Sequence, residues 1–170
     1  QDLIVDPDNA KVILATFDGS DSNVGKACVI GFGGTASSPT DTVGTFVDFS
    51  GSDECDQVAG CYDTQNNKVF IAYKTAPSSD HIIRGTIGTV TAGTNAISFG
   101  GEATIVDMTD SSGLFDVEFD TDNNKIAFFY RDGDNSDILT YKTITPGASS
   151  FSVASGATMS NGDIFLQSNS

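Results

Sequence analysis

Short apolar runs, separated by turns rich in Asp, Asn and Gly, recur along the whole chain. In the run at residues 125–131, Phe128 and Tyr130 point to one side of a predicted strand and Phe129 points to the other. Because both faces of this strand are apolar, the sheet that contains it must be covered on both sides. No segment keeps an apolar period of 3.6 residues, so the pattern predicts an all-β chain with essentially no helix.

One phrase of turn and strand occurs three times at a fixed spacing. It starts with Asp, has Asn in the turn and ends with a Lys that begins the next strand. The lysines are Lys11, Lys68 and Lys125, and their two intervals are equal (68 − 11 = 57; 125 − 68 = 57). A sequence repeat of several tens of residues indicates an array of like structural units. We therefore predict one continuous repeat domain with modules at residues 1–56, 57–113 and 114–170.

Each module is predicted to contain four antiparallel strands. Four-stranded sheets covered on both faces by like neighbours are the blades of a β-propeller, so we predict three propeller-like blades of about 57 residues. A stacked β-solenoid and a β-sandwich are the alternatives. The register is predicted to persist into the third strand, where Ile30, Ile87 and Ile144 follow one another at the same interval as the lysines. The predicted strands are residues 2–6, 11–17, 26–32 and 42–49; 57–63, 68–74, 82–90 and 96–106; and 114–120, 125–131, 138–145 and 150–159.

Three blades are too few for an ordinary ring, because propellers close with roughly 4–8 blades. Either the chain is a piece of a longer repeat protein, or copies associate as a pair or as an open array. Without such neighbours the end blades would leave large apolar faces in water. We therefore expect a homo-oligomer or part of a larger repeat assembly.

The charge of the chain excludes several kinds of partner. The net charge is −15, with eight Lys and Arg residues among 170. Nucleic acids and anionic membranes are polyanions, so neither is an expected partner. No apolar run approaches the ~20 residues that cross a bilayer, so no membrane insertion is expected. The chain begins with Gln1 rather than Met, which fits a processed product or an excised fragment and is compatible with secretion.

Three cysteines, Cys28, Cys55 and Cys61, form no metal-binding pattern. Cys28 is expected to be a small buried residue. Cys55 and Cys61 either close a small loop in an extracellular protein or are buried free thiols as well, and the sequence favours neither.

The repeated turn phrase is predicted to be structural, with the Asp accepting backbone N–H groups and the Asn in a left-handed conformation. A neighbouring acidic loop offers different chemistry, because alternating oxygen side chains suit Ca²⁺. Asp132, Asp134 and Asp137 in that loop are the candidate Ca²⁺ ligands, and a solvated turn is the alternative. No other cofactor is expected.

No catalytic group is marked by the sequence, and we predict that the protein is not an enzyme. His81 is the single histidine and is expected in an exposed loop, so no zinc cluster or histidine-based triad can be built on it. Carboxylates such as Glu54, Glu102 and Glu118 leave a two-carboxylate glycoside hydrolase as a remote alternative.

Four stretches of the chain carry a resemblance to a known group of proteins. Residues 62–73 read Tyr-Asp-x-x-x-Asn-Lys-Val-x-Ile-Ala-Tyr, and residues 130–135 read Tyr-Arg-Asp-Gly-Asp-Asn. Residues 85–90 read Gly-Thr-Ile-Gly-Thr-Val, and residues 97–100 read Ile-Ser-Phe-Gly. Together they resemble a repeat found in large structural proteins of marine bacteriophages. Cys55, Cys61 and a shortened loop in the third module depart from that repeat and leave a secreted bacterial protein as an alternative origin.

The resemblance implies a non-catalytic structural or adhesive protein of a virion or an extracellular filament. It implies an extracellular or virion location, and contact with a host surface. A secreted carbohydrate-binding propeller, with a cell-surface glycan as its partner, is the alternative function. Sugar sites need aromatic platforms beside polar loops, and here the four Tyr lie mostly in predicted strands and Trp is absent.

Overall fold

A computed structural model describes residues 1–51, 53–76, 81–109 and 114–159 of the chain. Within these ranges the regular structure is antiparallel β-strand, apart from one 3-10 turn at Gly133–Asn135. The prediction of an all-β chain is therefore confirmed. No helix in this part of the chain has the length and apolar character needed to cross a membrane.

The strands fall into three consecutive groups, called modules 1, 2 and 3 below. Module 1 contains β1 (Asp2–Asp6), β2 (Lys11–Asp18), β3 (Val24–Gly31), β4 (Gly34–Thr35), β5 (Ser38–Pro39), β6 (Thr42–Val43) and β7 (Val47–Asp48). Module 2 contains β8 (Glu54–Asp63), β9 (Lys68–Ala76), β10 (His81–Val90), β11 (Ile97–Phe99) and β12 (Ala103–Met108). Module 3 contains β13 (Phe115–Asp120), β14 (Lys125–Asp132), β15 (Ile138–Pro146), β16 (Phe151–Val153) and β17 (Ala157–Thr158).

Each module is an antiparallel meander of three long strands followed by a split fourth strand. The predicted fourth strand is interrupted in all three modules, and its two halves pair with opposite ends of the third strand. Glycines lie in the breaks of modules 1 and 2 because another backbone comes very close. A side chain on Gly44 would begin 1.9 Å from the carbonyl oxygen of Asn95, and one on Gly100 would begin 2.3 Å from that of Ser149. At each of these breaks, a loop of the following module therefore packs directly against the glycine.

Modules 1 and 2 share one sheet, while module 3 forms a second sheet. A single pair, Val24 with Glu54, joins β3 to β8 and so links ten strands into one sheet. The five strands of module 3 pair among themselves. The small hairpin of β4 and β5 stands apart in the loop after β3.

The predicted register of the third strand is wrong in module 2. Val12 pairs with Ile30 and Ile126 pairs with Ile144, at equal separations (30 − 12 = 18; 144 − 126 = 18). In module 2, Val69 pairs with Gly88 at a larger separation (88 − 69 = 19), so the β9–β10 hairpin is one residue longer. Because a slip of one residue turns a strand's side chains to the opposite face, Ile87 points the opposite way from Ile30 and Ile144.

Module 2 is covered on both faces, as the apolar pattern of its second strand indicates, whereas the sheet of module 3 is covered on one face only. The prediction that the strand at residues 125–131 lies in a sheet covered on both sides is therefore wrong within this chain, because its Phe129 side faces outward. Val69, Ile71 and Tyr73 pack against module 1, and Phe70 and Ala72 pack against module 3. All five side chains are 0% exposed. The core of the protein therefore consists of two layers, one on each side of module 2.

Candidate functional site

The predicted Ca²⁺ loop follows β14 and is engaged by the protein itself. Asp134 accepts the backbone N–H of Thr109 at 2.9 Å and its hydroxyl at 2.6 Å, while Asp137 is paired with Arg131. Asp132 ends β14, and its side chain makes no capping bond to the 3-10 turn. Among the described residues, no group of three His, Cys, Asp or Glu side chains is arranged to hold a metal ion. The geometry therefore adds no support to the Ca²⁺ hypothesis.

The repeated turn phrase has the structural role predicted for it. In module 3, the Asp120 carboxylate accepts the backbone N–H groups of Asp122 and Asn123 at 3.0 and 3.2 Å, and the Asn123 amide at 2.7 Å. The Asn123 side-chain hydrogen bond is the main reason that the pKa of the Asp120 carboxyl lies below its usual value. Asp6 and Asp63 make the same bonds in modules 1 and 2.

The three cysteines are buried free thiols. Cys55 and Cys61 lie at the two ends of one strand, β8, which separates them by roughly 20 Å, far beyond the reach of a disulfide. The small disulfide loop considered from the sequence is therefore wrong. Burial raises the pKa of the Cys55 thiol to about 12, with a further contribution from Asp56, and burial also raises the pKa of Cys28 and Cys61.

The prediction that His81 lies in an exposed loop is wrong. His81 is the first residue of β10, where it pairs with Met108 and is half-buried. Its neighbour Asp80 lies outside the described residues. Of the carboxylates considered for a glycoside hydrolase, Glu54 accepts the side-chain amide of Asn23, Glu102 lies beside Tyr73, and Glu118 lies on an exposed face of module 3.

One polar cluster that sequence reasoning missed lies where modules 1 and 2 meet. The hydroxyl of the fully buried Tyr73 donates to Glu102, and the Arg84 guanidinium lies 3.6 Å from Glu102 and 3.4 Å from Asp53. Burial first, and the hydrogen bond to Glu102 second, raise the pKa of Tyr73. The Tyr73 hydroxyl is therefore protonated and acts as a hydrogen-bond donor. This bond holds the Tyr73 ring beside the Phe49 ring, at a centroid distance of 5.5 Å.

The outer face of module 1 is an open apolar surface, which we call the Leu3 face. The exposed fractions are 63% for Leu3, 62% for Val5 and 65% for Val43. Two cross-strand rows form this face. One row is Leu3, Leu14 and Cys28, of which Cys28 is itself buried, and the other is Val5, Val12, Ile30 and Val43. No charged side chain interrupts either row.

The outer face of module 3, which we call the Glu118 face, has a different character. Its first strand presents the exposed carboxylates of Asp116 and Glu118. The neighbouring strands add an aromatic pair, Phe129 and Tyr141, with ring centroids 6.2 Å apart. Ala127, Leu139 and Thr143 lie on the same face, and Lys125 and Arg131 lie towards the two ends of β14 on that side. One end of the three-module array is therefore apolar, and the other is acidic and aromatic.

The apolar period alone could not distinguish these two ends, although the sequence contained a signal. Ile4, Cys61 and Glu118 occupy the same place in the repeat, because they too are separated by the repeat interval (61 − 4 = 57; 118 − 61 = 57). Ile4 and Cys61 are buried between modules, whereas Glu118 is exposed. A carboxylate at a position that is apolar in the other two copies marks the end of the covered surface.

Searches with this chain found no matching family model, no similar curated protein and no similar solved structure.

Proposed function

We propose that this chain is a non-catalytic structural and adhesive protein of a virion or an extracellular filament, and that it assembles through the faces of its β-modules. In this proposal the modules are three propeller-like, four-stranded blades, and the chain works outside the cell or in the virion. Further copies of the chain are its first partner, and a host surface is its second.

The arrangement of the first strands supports propeller-like blades. The backbone N–H of Gly60 in β8 donates to Asp2 in β1 at 2.7 Å, and the side chain of Gln57 in β8 donates to the carbonyl oxygen of Phe115 in β13 at 3.0 Å. The first strands of successive modules therefore lie side by side, as the inner strands of a propeller do around its axis. A β-sandwich fits less well, because module 2 is covered on both faces.

The Leu3 face is the observation that carries the assembly proposal. Its residues occupy the positions by which modules 2 and 3 pack on the module before them: Leu3 corresponds to Gly60 and Val117, and Val12 to Val69 and Ile126. In modules 2 and 3 this surface is buried, and in module 1 it is open. This correspondence, in which the open surface of module 1 matches a surface that is buried in modules 2 and 3, supports association through the Leu3 face.

Two measurements test the proposal. Sedimentation velocity on the purified chain should show association that grows with concentration, and a monomer at every concentration would contradict the assembly role. Antibodies raised against the chain should label a particle or filament surface in electron micrographs of the source material. Label confined to the cell interior would contradict the location.

A second candidate, carbohydrate binding, is favoured by one observation. Tyr141 is 40% exposed on the Glu118 face, beside Phe129 and in the same cross-strand row as Asp116, which lies two strands away. An exposed aromatic ring on a surface that also carries polar acceptors can serve as a platform for a sugar ring. A glycan array with the wild type and with Tyr141→Ala tests it: a hit that Tyr141→Ala abolishes would support this function, and the absence of any hit would remove it.

A further inference from the structure

The two outer faces of the array are not complementary to each other. A head-to-tail stack would place the Leu3 face of one copy on the Glu118 face of the next. In the contact between modules 1 and 2, the position that corresponds to Glu118 is Ile4, whose side chain packs directly over Gly60. Glu118 would instead meet Leu3, so its carboxylate would lose water against an aliphatic side chain.

The break in the fourth strand also opposes a head-to-tail stack. Gly44, Gly100 and Ala154 are equivalent, because each donates its N–H to the third strand, at Val29, Ile87 and Thr143 respectively. In modules 1 and 2 the backbone of a loop from the next module lies so close to this glycine that a Cβ there would collide with it. Module 3 has Ala154 there, so the same seat is closed.

The Leu3 face carries no such obstacle. Its two rows hold aliphatic side chains and one thiol, and the nearest charged group on β3, Lys26, already lies within 3.6 Å of Asp18, Asp21 and Asp48. Each copy has a net charge of −15, so two copies repel, and a contact between two uncharged faces brings no carboxylates close together at the interface. The surface that best fits this face is therefore another Leu3 face.

We infer that the Leu3 face is a two-fold interface between two copies of this chain, with module 1 of one copy packed on module 1 of the other. This inference rests on the proposed assembly function and specifies its geometry. The result is a closed dimer of six modules, in which both Glu118 faces point outward and remain free. Two-fold contacts of this kind use the same patch on both partners.

The size of the face sets the expected strength of the dimer. The face is five residues long along β1, roughly 17 Å, and four strands wide (β1, β2, β3 and β6), roughly 14 Å. Its flat area is therefore roughly 240 Å². That is small beside the ~800 Å² per partner of a standard interface, so we expect dissociation constants in the micromolar range or weaker. The experiment must therefore reach high concentrations.

The test uses two matched substitutions on opposite ends of the array. Val5→Lys adds a charge to the Leu3 face, and Tyr141→Lys adds the same charge to the Glu118 face. Both side chains are exposed, so both variants should fold, and circular dichroism with thermal melting checks this. Sedimentation velocity is run on the wild type, each variant and their mixture from about 10 μM to about 1 mM.

The outcomes distinguish a failure of the two-fold interface from a failure of the assembly role. We expect a dimer for the wild type and Tyr141→Lys, and at least about tenfold weaker association for Val5→Lys. A monomeric wild type would overturn both the assembly role and the inference. Association lost in both variants but restored as a 1:1 complex in their mixture would establish head-to-tail packing, which keeps the assembly role and overturns the inference. Dimers that neither variant weakens would place the interface elsewhere and overturn it too.

Discussion

The carboxylate of Asp2 accepts the backbone N–H of Gly60 at 2.7 Å and so ties the first strand of module 1 to the first strand of module 2. Its other oxygen accepts the N–H of Leu3 at 2.8 Å. Asp116, in the same place in module 3, makes the equivalent bond to Val117 at 2.9 Å, but its second oxygen faces an exposed surface. An Asp at this position of the repeat thus joins modules 1 and 2, whereas in module 3 it lies on the outer face.

Asp2→Ala should destabilise the fold, because it leaves the N–H of Gly60 without its acceptor between two packed modules. We expect a loss of about 1–2 kcal/mol in the free energy of unfolding, measured by urea titration. Asp116→Ala is the control, and it should change stability by less than about 0.5 kcal/mol. Equal losses in the two variants would mean that the bond between modules contributes nothing.

Gly60→Ala should destabilise the contact between modules 1 and 2. A Cβ at Gly60 would lie 2.3 Å from Cδ1 of Ile4 and 2.9 Å from the carbonyl oxygen of Phe70, so packed atoms must move. Overpacking of this kind costs about 1–3 kcal/mol. At Gly101 a Cβ would meet nothing within 4 Å, so Gly101→Ala is the matched control with little expected effect.

If the steric reason is right, Gly60→Ala and Ile4→Ala together should cost less stability than the sum of their separate losses, because Ile4→Ala removes the side chain that the new Cβ would meet. A double-mutant cycle on the two residues then gives a favourable coupling energy. A Gly60→Ala protein as stable as the wild type would contradict the close packing of Ile4 on β8.

Ala10→Asn should stabilise the protein. Ala10 has a φ of 51°, and the equivalent residues Asn67 and Asn124 have φ of 55° and 52°. Asn visits this left-handed region more readily than Ala, so we expect a gain of about 0.5–1 kcal/mol and a higher melting temperature. Asn67→Ala is the reverse change and should lower the melting temperature. A fall on Ala10→Asn would show that the turn of module 1 differs from the others.

The cysteines should resist thiol reagents while the protein is folded. The pKa of Cys55 is raised to about 12, and a raised thiol pKa keeps the group protonated and unreactive at pH 8. Without reductant, a colorimetric thiol titration should therefore detect almost no thiol in native protein and three in 8 M urea, where ~8 M unfolds most domains. One thiol in urea would instead reveal a disulfide between two of the cysteines.

Much of the fold could be predicted from the chain, because local rules decide it. The Asp–Asn–Lys phrase fixes the first turn of each module, and its hydrogen bonds join near neighbours in the chain. The doubly apolar pattern of the second strands likewise predicted sheets covered on both faces, which holds for module 2 and not for module 3. Such features follow from turn chemistry and side-chain alternation, which a single sequence contains.

The remaining features depend on contacts between distant segments. The face to which Ile87 points depends on one extra residue in the β9–β10 hairpin, which the spacing of isoleucines cannot reveal. The break in the fourth strand depends on how closely Asn95, in module 2, approaches Gly44, in module 1. The difference between the two outer faces required the modules to be compared position by position. It was visible only once Glu118 was set beside Ile4 and Cys61.

The lengths of the loops differ more between the three modules the farther the loop lies from the first strand. The turn between the first and second strands is the same in all three, with Asp6 paired to Lys11, Asp63 to Lys68 and Asp120 to Lys125. The loop before the split strand, in contrast, covers residues 32–41, 91–96 and 147–150. Length is therefore free to change at the outer edge and constrained near the first strands. A fluorescent tag or a binding epitope inserted at residues 36–37, between β4 and β5, should leave the rest of the molecule intact.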